Sequence, residues 1–322
     1  LFIVYLDATL EDLAQTLGEE ANLLGRTIAY ADDTDFVCHD EAAMTAIKTQ
    51  APPVFAQWDL KMNEDKTEET QVYRSTDVDA PTHAASLAWH TTKKLGSLLD
   101  DAADLRARKQ LGTAAFNSMW KIWMRRGLTS EGNRTRLYKC YVLPVLLYNC
   151  GTWALTPTSL ASLDSFHRRQ LRRLLGVFYP NTITDVALYE RCASVPLSEL
   201  VARQRWRLLG HVLRLPEDVP ANVAAARFFD PSAQSRFLGR TKLTLPIVLH
   251  RDLQSLTPPL SLASTDDLKD LRSCAQDHEA WTELTERIVM SQTRGRKRRR
   301  VTTEEEDAAP RRSQHARGPA SE

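Results

Sequence analysis

The sequence predicts an α+β fold, in which a small acidic β-hairpin with its helices precedes an all-helical region and a charged C-terminal tail. Residues 27–38 contain two short β-prone runs on either side of Asp32 and Asp33. From Asp104 onward, apolar residues recur at helical spacing instead. After Arg294, blocks of like charge replace the apolar periodicity. Such blocks repel one another and cannot form a core, so we expect this tail to be disordered.

Composition sets the broad class of the protein. The chain has 322 residues, of which 43% are hydrophobic and 26% charged, as in globular proteins. Its formal net charge is only +1, so any affinity for nucleic acid has to come from local clusters of basic residues. The 5 cysteines are scattered without zinc-ligand spacing or a disulfide framework. No apolar run is long enough to span a membrane, and no signal peptide is visible. We therefore expect a reducing compartment and no membrane partner.

The acidic pair at Asp32 and Asp33 is the first candidate functional feature. Asp tolerates the tight backbone of a hairpin turn, so the two β-prone runs should hold both carboxylates at the tip. Adjacent like charges cost free energy unless a cation offsets them, and Mg²⁺ prefers carboxylate oxygens. On these residues alone, an ordinary acidic turn is the alternative.

The N-terminal stretch allows two interpretations. Residues 2–6 could form a strand that ends at Asp7, which would then be a further metal ligand. We predict a helix here instead, because apolar residues recur at helical spacing. These residues are Phe2, Tyr5, Leu6, Leu10, Leu13 and Leu17.

Five motifs, in order, resemble non-LTR (LINE-type) retrotransposon reverse transcriptases. The first, Tyr30-Ala31-Asp32-Asp33, resembles the YxDD box. Asn63 to Glu68 resembles the N-x-x-K-T box, and Lys93 to Leu99 resembles the LG box. Leu143 to Tyr148 and Trp206 to Arg214 resemble two helical motifs C-terminal to the palm. Each motif is short, and the resemblance lies in the ordered set.

The resemblance implies an RNA-directed DNA polymerase with an RNA template, a DNA primer and deoxynucleoside triphosphates as partners. It implies that Asp32 and Asp33 bind two Mg²⁺ ions and that Tyr30 shapes the hairpin near the primer end. It assigns Lys66 to the phosphates of the nucleotide. Lys66 is otherwise one more exposed lysine in a charged loop. Lys94 and Gly96 would contact the primer strand, whereas the alternative for Gly96 is a simple strand glycine.

A strongly basic helix follows the predicted palm. Thr156 and Pro157 are typical of a helix start, and Gly176 of its end. The face opposite the leucines carries His167 with Arg168, Arg169, Arg172 and Arg173. Arginine forks bind phosphate, so these arginines are candidate nucleic-acid contacts. A solvated helix face is the alternative.

The resemblance also divides the chain. It implies a partial polymerase palm over residues 1–100, a helical thumb over 101–178 and a C-terminal helical extension over 179–290, and the charge blocks predict a disordered tail over 291–322. The chain would start in mid-palm, without the fingers or the first catalytic Asp, so we expect no polymerase activity from it alone. The alternative function is a non-enzymatic nucleic-acid-binding remnant that uses the basic thumb helices.

The basic run from Arg294 to Arg300 suggests a nuclear-import or nucleic-acid patch. A purely solvated tail is the alternative. We expect the protein in the nucleus or in a cytoplasmic ribonucleoprotein.

Overall fold

The computed structural model of the protein describes residues 1–18, 22–38, 40–70, 91–124, 127–229 and 243–308. The chain divides into two compact units, Leu1–Gln71 and Val72–Glu322. The palm segment predicted over residues 1–100 therefore spans both units.

The first unit consists of two helices and a hairpin. Its elements are α1 (Phe2–Leu17), β1 (Thr27–Tyr30), β2 (Asp33–Phe36) and α2 (Glu41–Gln57). The predicted N-terminal helix is confirmed, and Asp7 lies on its exposed side rather than at a strand end.

Helices α1 and α2 form the core of the first unit. Their buried side chains are those of Leu6, Leu10, Leu13, Ile47, Ala51, Val54 and Phe55. Trp58 joins the helices further, because its indole Nε1 donates to Asp12 at 3.1 Å. The hydroxyl of Tyr5 donates to the carbonyl of Trp58 at 2.8 Å.

The second unit contains a short second hairpin followed by helices. The hairpin strands are β3 (Lys93–Lys94) and β4 (Ser97–Leu98). The helices before residue 180 are α3 (Asp101–Ser118), α4 (Trp120–Met124), α5 (Glu131–Leu137), α6 (Leu143–Leu146) and α7 (Pro157–Leu175). Those after it are α8 (Asp185–Arg191), α9 (Leu197–Arg214), α10 (Pro220–Phe229), α11 (Leu245–Gln254), α12 (Thr265–Gln276) and α13 (His278–Ala308). A π-helical segment, Tyr138–Val142, joins α5 to α6.

Two apolar cores share helix α9. The first core extends from Leu105 to Val201 and so crosses the boundary predicted at residue 178. The second runs from Trp206 to Ile288 and holds α9 against α10 to α13. The predicted thumb and extension are thus continuous through α9.

These elements give a mostly helical chain with two small antiparallel hairpins, in agreement with the predicted α+β class. The predicted disordered tail begins at residue 291, but helix α13 continues to Ala308. The remaining tail residues, 309–322, lie outside the described residues. No helix in the described part of the chain is long and apolar enough to cross a membrane.

The basic helix α7 begins and ends as predicted. The Thr156 side chain accepts from the backbone N–H of Ser159, Pro157 occupies the first turn, and Gly176 ends the helix in the left-handed conformation. His167, however, lies in the core rather than on the basic face, with 0% of its side chain exposed. It hydrogen-bonds to Tyr138 at 2.9 Å and to Ser194 at 3.1 Å. Burial lowers the pKa of His167 to about 3, so the ring is neutral at physiological pH.

Gly210 lets the indole of Trp281 lie against α9. The indole Nε1 of Trp281 donates to the carbonyl of Trp206 at 3.0 Å. A Cβ added to Gly210 would lie 2.3 Å from that nitrogen. The glycine of the Trp206 to Arg214 motif therefore has a packing role.

We expect Gly210→Ala to destabilise the second unit by about 1–3 kcal/mol, because buried Trp281 has to move. Helix propensity alone would favour alanine by about 1 kcal/mol. Urea unfolding followed by tryptophan fluorescence measures the change. Gly132 in α5 is the control, since nothing lies within 4 Å of its added Cβ. Equal stability of Gly210→Ala and wild type would contradict this packing argument.

Candidate active site and nucleic-acid interface

The first hairpin places the acidic pair at its tip. Strands β1 and β2 pair in antiparallel register, with Tyr30 opposite Asp33. The two-residue turn between them is formed by Ala31 and Asp32, and Ala31 has a φ of 53°. Such turns require positive φ, which costs a non-glycine residue some strain. Asp32 therefore occupies the turn itself, and Asp33 begins the return strand.

The two faces of this hairpin have different surroundings. Since side chains alternate along a strand, Asp33 shares a face with Tyr30 and Ile28. Phe36 lies on the opposite face and packs against the core of the first unit. Tyr30 is 66% exposed and Ile28 55% exposed. The Asp33 face is thus the solvent face of the hairpin.

The carboxylates of Asp32 and Asp33 are both exposed. Carboxylate oxygens on neighbouring residues of a tight turn fit the donor preference of Mg²⁺. No group of three or more His, Cys, Asp or Glu side chains with metal-site geometry occurs among the described residues. The hairpin therefore exposes two carboxylates at and beside its turn.

Lys66 also belongs to the first unit. It ends a short 3₁₀ turn, Glu64–Lys66, and its backbone N–H donates to the Asn63 carbonyl at 3.2 Å. Its side chain is exposed. In the described part of the chain, no hydrogen bond or ion pair joins it to Asp32 or Asp33.

The second hairpin carries Lys94 and Gly96. Its central residues, Leu95 and Gly96, have φ values of 45° and 83°. Two successive positive values are typical of a type I′ turn, which explains the glycine. Gly96 thus lies at the hairpin tip rather than within a strand.

A buried polar network fixes this second hairpin to helix α3. Arg108 donates to the Gly96 carbonyl and, at 3.2 Å, to the Ser97 hydroxyl. Asp104 accepts from the backbone N–H of Leu98 at 3.1 Å and from the indole of Trp153 at 2.9 Å. Our sequence prediction did not include Arg108 or Asp104. The signal available in the sequence was their spacing of four residues, which places an acidic and a basic side chain on the same helix face.

The arginines of α7 have different partners. Arg168 and Arg172 lie 3.2 and 2.6 Å from the carboxylate of Asp185, which belongs to α8. Asp185 thus interrupts the basic cluster in space, although it is 13 positions beyond Arg172 in the sequence. Two of the four arginines are therefore already engaged by a carboxylate.

The other two arginines face helices α3 and α4. The guanidinium of Arg173 lies over the rings of Phe116 and Trp120, with centroids 5.1 and 5.2 Å away. Arg169 is exposed. Lys109 of α3 reaches helix α7, where its ammonium donates to the hydroxyl of Ser162 at 2.8 Å. Burial, and after it the nearby charge of Arg169, lowers the pKa of this lysine. We call Lys109, Trp120, Arg169 and Arg173 the α3–α7 basic surface.

No protein-family model, curated protein or solved structure matches this chain. The acidic hairpin in the first unit and the α3–α7 basic surface in the second are therefore the two candidate functional features.

Proposed function

We propose that this chain is part of an RNA-directed DNA polymerase of the non-LTR retrotransposon type, with the first hairpin as its catalytic hairpin. One observation carries the proposal: a two-residue turn presents Asp32 and Asp33 to solvent beside Tyr30. Phe36 anchors the same hairpin to the core, so the exposed carboxylates have a fixed base.

The proposed reaction is attack of a primer 3′-hydroxyl on the α-phosphorus of a deoxynucleoside triphosphate. A bond forms between these atoms, pyrophosphate leaves with the electron pair of the broken bond, and the hydroxyl loses its proton. Asp32 would hold Mg²⁺ and Asp33 would support it. When bound, Mg²⁺ would neutralise phosphate charge and make the hydroxyl more acidic.

Other residues of the first unit have supporting roles in this proposal. The exposed ring of Tyr30 lies on the same face as Asp33 and would border the primer end. The exposed ammonium of Lys66 would balance charge on the departing pyrophosphate. The proposed polymerase function also implies an RNA template and a DNA primer as partners.

The second unit would bind the nucleic acid through the α3–α7 basic surface. Arg169 is exposed and Lys109 is close to it, so both can approach phosphates. Arg173 lies over the ring of Trp120, which is 37% exposed and so leaves part of an aromatic side chain open beside the cations. Arg168 and Arg172 would contribute less, because Asp185 already balances them.

We expect the double variant Lys109→Ala with Arg169→Ala to weaken binding to an RNA–DNA hybrid and to flatten its salt dependence. Each lost phosphate contact lowers the slope of log K against log salt by about 0.9, so the slope should fall by about 2. Fluorescence anisotropy over a salt series measures this change. The matched control is Arg251→Ala with Lys269→Ala, two exposed cations elsewhere in the unit. Equal slopes of log K against log salt for the two double variants would show that the α3–α7 basic surface does not bind the hybrid.

A non-enzymatic nucleic-acid-binding protein is the second candidate function. The observation that favours it is that the α3–α7 basic surface belongs entirely to the second unit and needs no residue of the acidic hairpin. Salt-dependent binding by the chain, together with primer extension that survives Asp32→Ala in a fusion to the fingers-and-palm segment of a related element, would support this candidate over the polymerase.

A further inference from the structure

A groove of about 540 Å³ lies in the second unit, between helix α9 and the segment that contains α6. Apolar side chains line both walls: Leu143, Pro144, Leu147, Leu200 and Leu208. Two motifs from the sequence meet here, since the first three belong to the Leu143 to Tyr148 motif and Leu208 to the Trp206 to Arg214 motif. The proposed polymerase assignment uses none of these residues.

One part of the groove lining is tightly packed. A Cβ added to Gly151 would lie 3.0 Å from the backbone carbonyl of Gln204, so this turn and α9 are in close contact. Cys150 also lines the groove, and burial raises the pKa of its thiol to about 12 and keeps it neutral. This part of the lining is therefore uncharged.

The rim of the groove carries one arginine and one histidine. Arg207 and His211 are both exposed and are four residues apart, so they project from the same face of α9 one turn from each other. No carboxylate side chain is among the residues that line the groove. Neither Arg207 nor His211 has a hydrogen-bond or ion-pair partner in the described part of the chain.

The other arginines of α9 are all engaged. Arg203 forms an ion pair with Glu286 at 2.8 Å, and Arg205 one with Asp252 at 2.9 Å. Arg214 donates to the carbonyl of Ala275 at 3.0 Å. Arg207 thus differs from its neighbours on α9, and its position at an apolar groove requires a separate explanation.

We propose that this groove binds an acidic amphipathic helix of a partner protein. Apolar side chains of that helix would fill the leucine-lined groove, and its Asp or Glu side chains would pair with Arg207 and accept a hydrogen bond from the ring of His211. Charge complementarity selects an acidic partner. The leucine walls favour a helix over a single-stranded nucleic acid, whose bases stack best on aromatic rings, because none of the described residues that line this groove is aromatic.

The test uses the full chain and two labelled synthetic helical peptides with leucines along one face. One peptide carries glutamates on its other face, and the second carries lysines at the same positions. Fluorescence anisotropy should show saturable binding of the glutamate peptide and at least tenfold weaker binding of the lysine peptide. Arg207→Glu should lower the affinity for the glutamate peptide tenfold or more and raise the affinity for the lysine peptide. That reversal would not follow from a loss of folding.

Arg251→Glu is the matched control, because Arg251 is exposed on α11 and does not line the groove. It should leave both affinities unchanged. Binding of the glutamate peptide with a Kd above about 1 mM, or equal binding to wild type and Arg207→Glu, would overturn the proposal. A poly(U) oligonucleotide that displaces the peptide and depends on Arg207 would also overturn it and assign the groove to nucleic acid.

Discussion

Asp252→Ala is expected to lower the free energy of unfolding of the second unit by about 3–5 kcal/mol, because it leaves a buried arginine without its counter-charge. Asp252 accepts from Arg205 at 2.9 Å and from the indole of Trp206 at 3.0 Å. Its second oxygen accepts from Gln292 at 2.7 Å. The side chains of Arg205 and Asp252 are 3% and 8% exposed, so water cannot replace the lost carboxylate. Urea unfolding monitored by circular dichroism measures the change.

The control for this prediction is an exposed ion pair of similar length. Lys269 and Asp266 lie 3.0 Å apart with side chains 75% and 85% exposed, so Lys269→Ala should cost no more than about 1 kcal/mol. The double variant Arg205→Met with Asp252→Leu should recover much of the stability, since it removes both buried charges. A loss below about 1 kcal/mol for Asp252→Ala would contradict the assigned role of this pair.

Local signals were sufficient to predict several elements of the fold. Thr156, Pro157 and Gly176 define the ends of α7 because capping depends only on neighbouring residues. The apolar periodicity of residues 2–17 defines α1 and excludes the strand interpretation of Asp7. Asp32 and Asp33 were placed at a hairpin tip from turn propensity alone, and the structure has them there.

Contacts between distant residues could not be predicted in this way. Nothing near Arg172 in the sequence indicates that Asp185 folds back onto it. His167 was assigned to the basic face because its neighbours are arginines. Its spacing of four from Leu163 and Leu171 was the signal for a buried position, since all three share one helix face.

The partners of Arg205 and Asp252 also required the structure, because helices α9 and α11 are far apart in the sequence. Helix α13 extends to Ala308, and its earlier turns pack into the second core.

The central claim is that the first hairpin is catalytic, and template-directed primer extension tests it most directly. The resemblance implies that a carboxylate from a second strand completes the two-metal site. The structure describes no strand before β1 among residues 1–18 and 22–38. The measurement therefore compares the chain with a fusion to the fingers-and-palm segment of a related element. Both are assayed on an RNA template with a labelled DNA primer and Mg²⁺.

We expect the fusion to extend the primer. Asp32→Ala should lower its extension rate by about a hundredfold or more, and Asp33→Ala should lower it less. Both residues are exposed, so the variants should keep their folded structure, which circular dichroism can verify. Asp7→Ala, on the exposed side of α1, is the matched control and should retain full activity. Extension that survives Asp32→Ala would contradict the catalytic assignment of the hairpin.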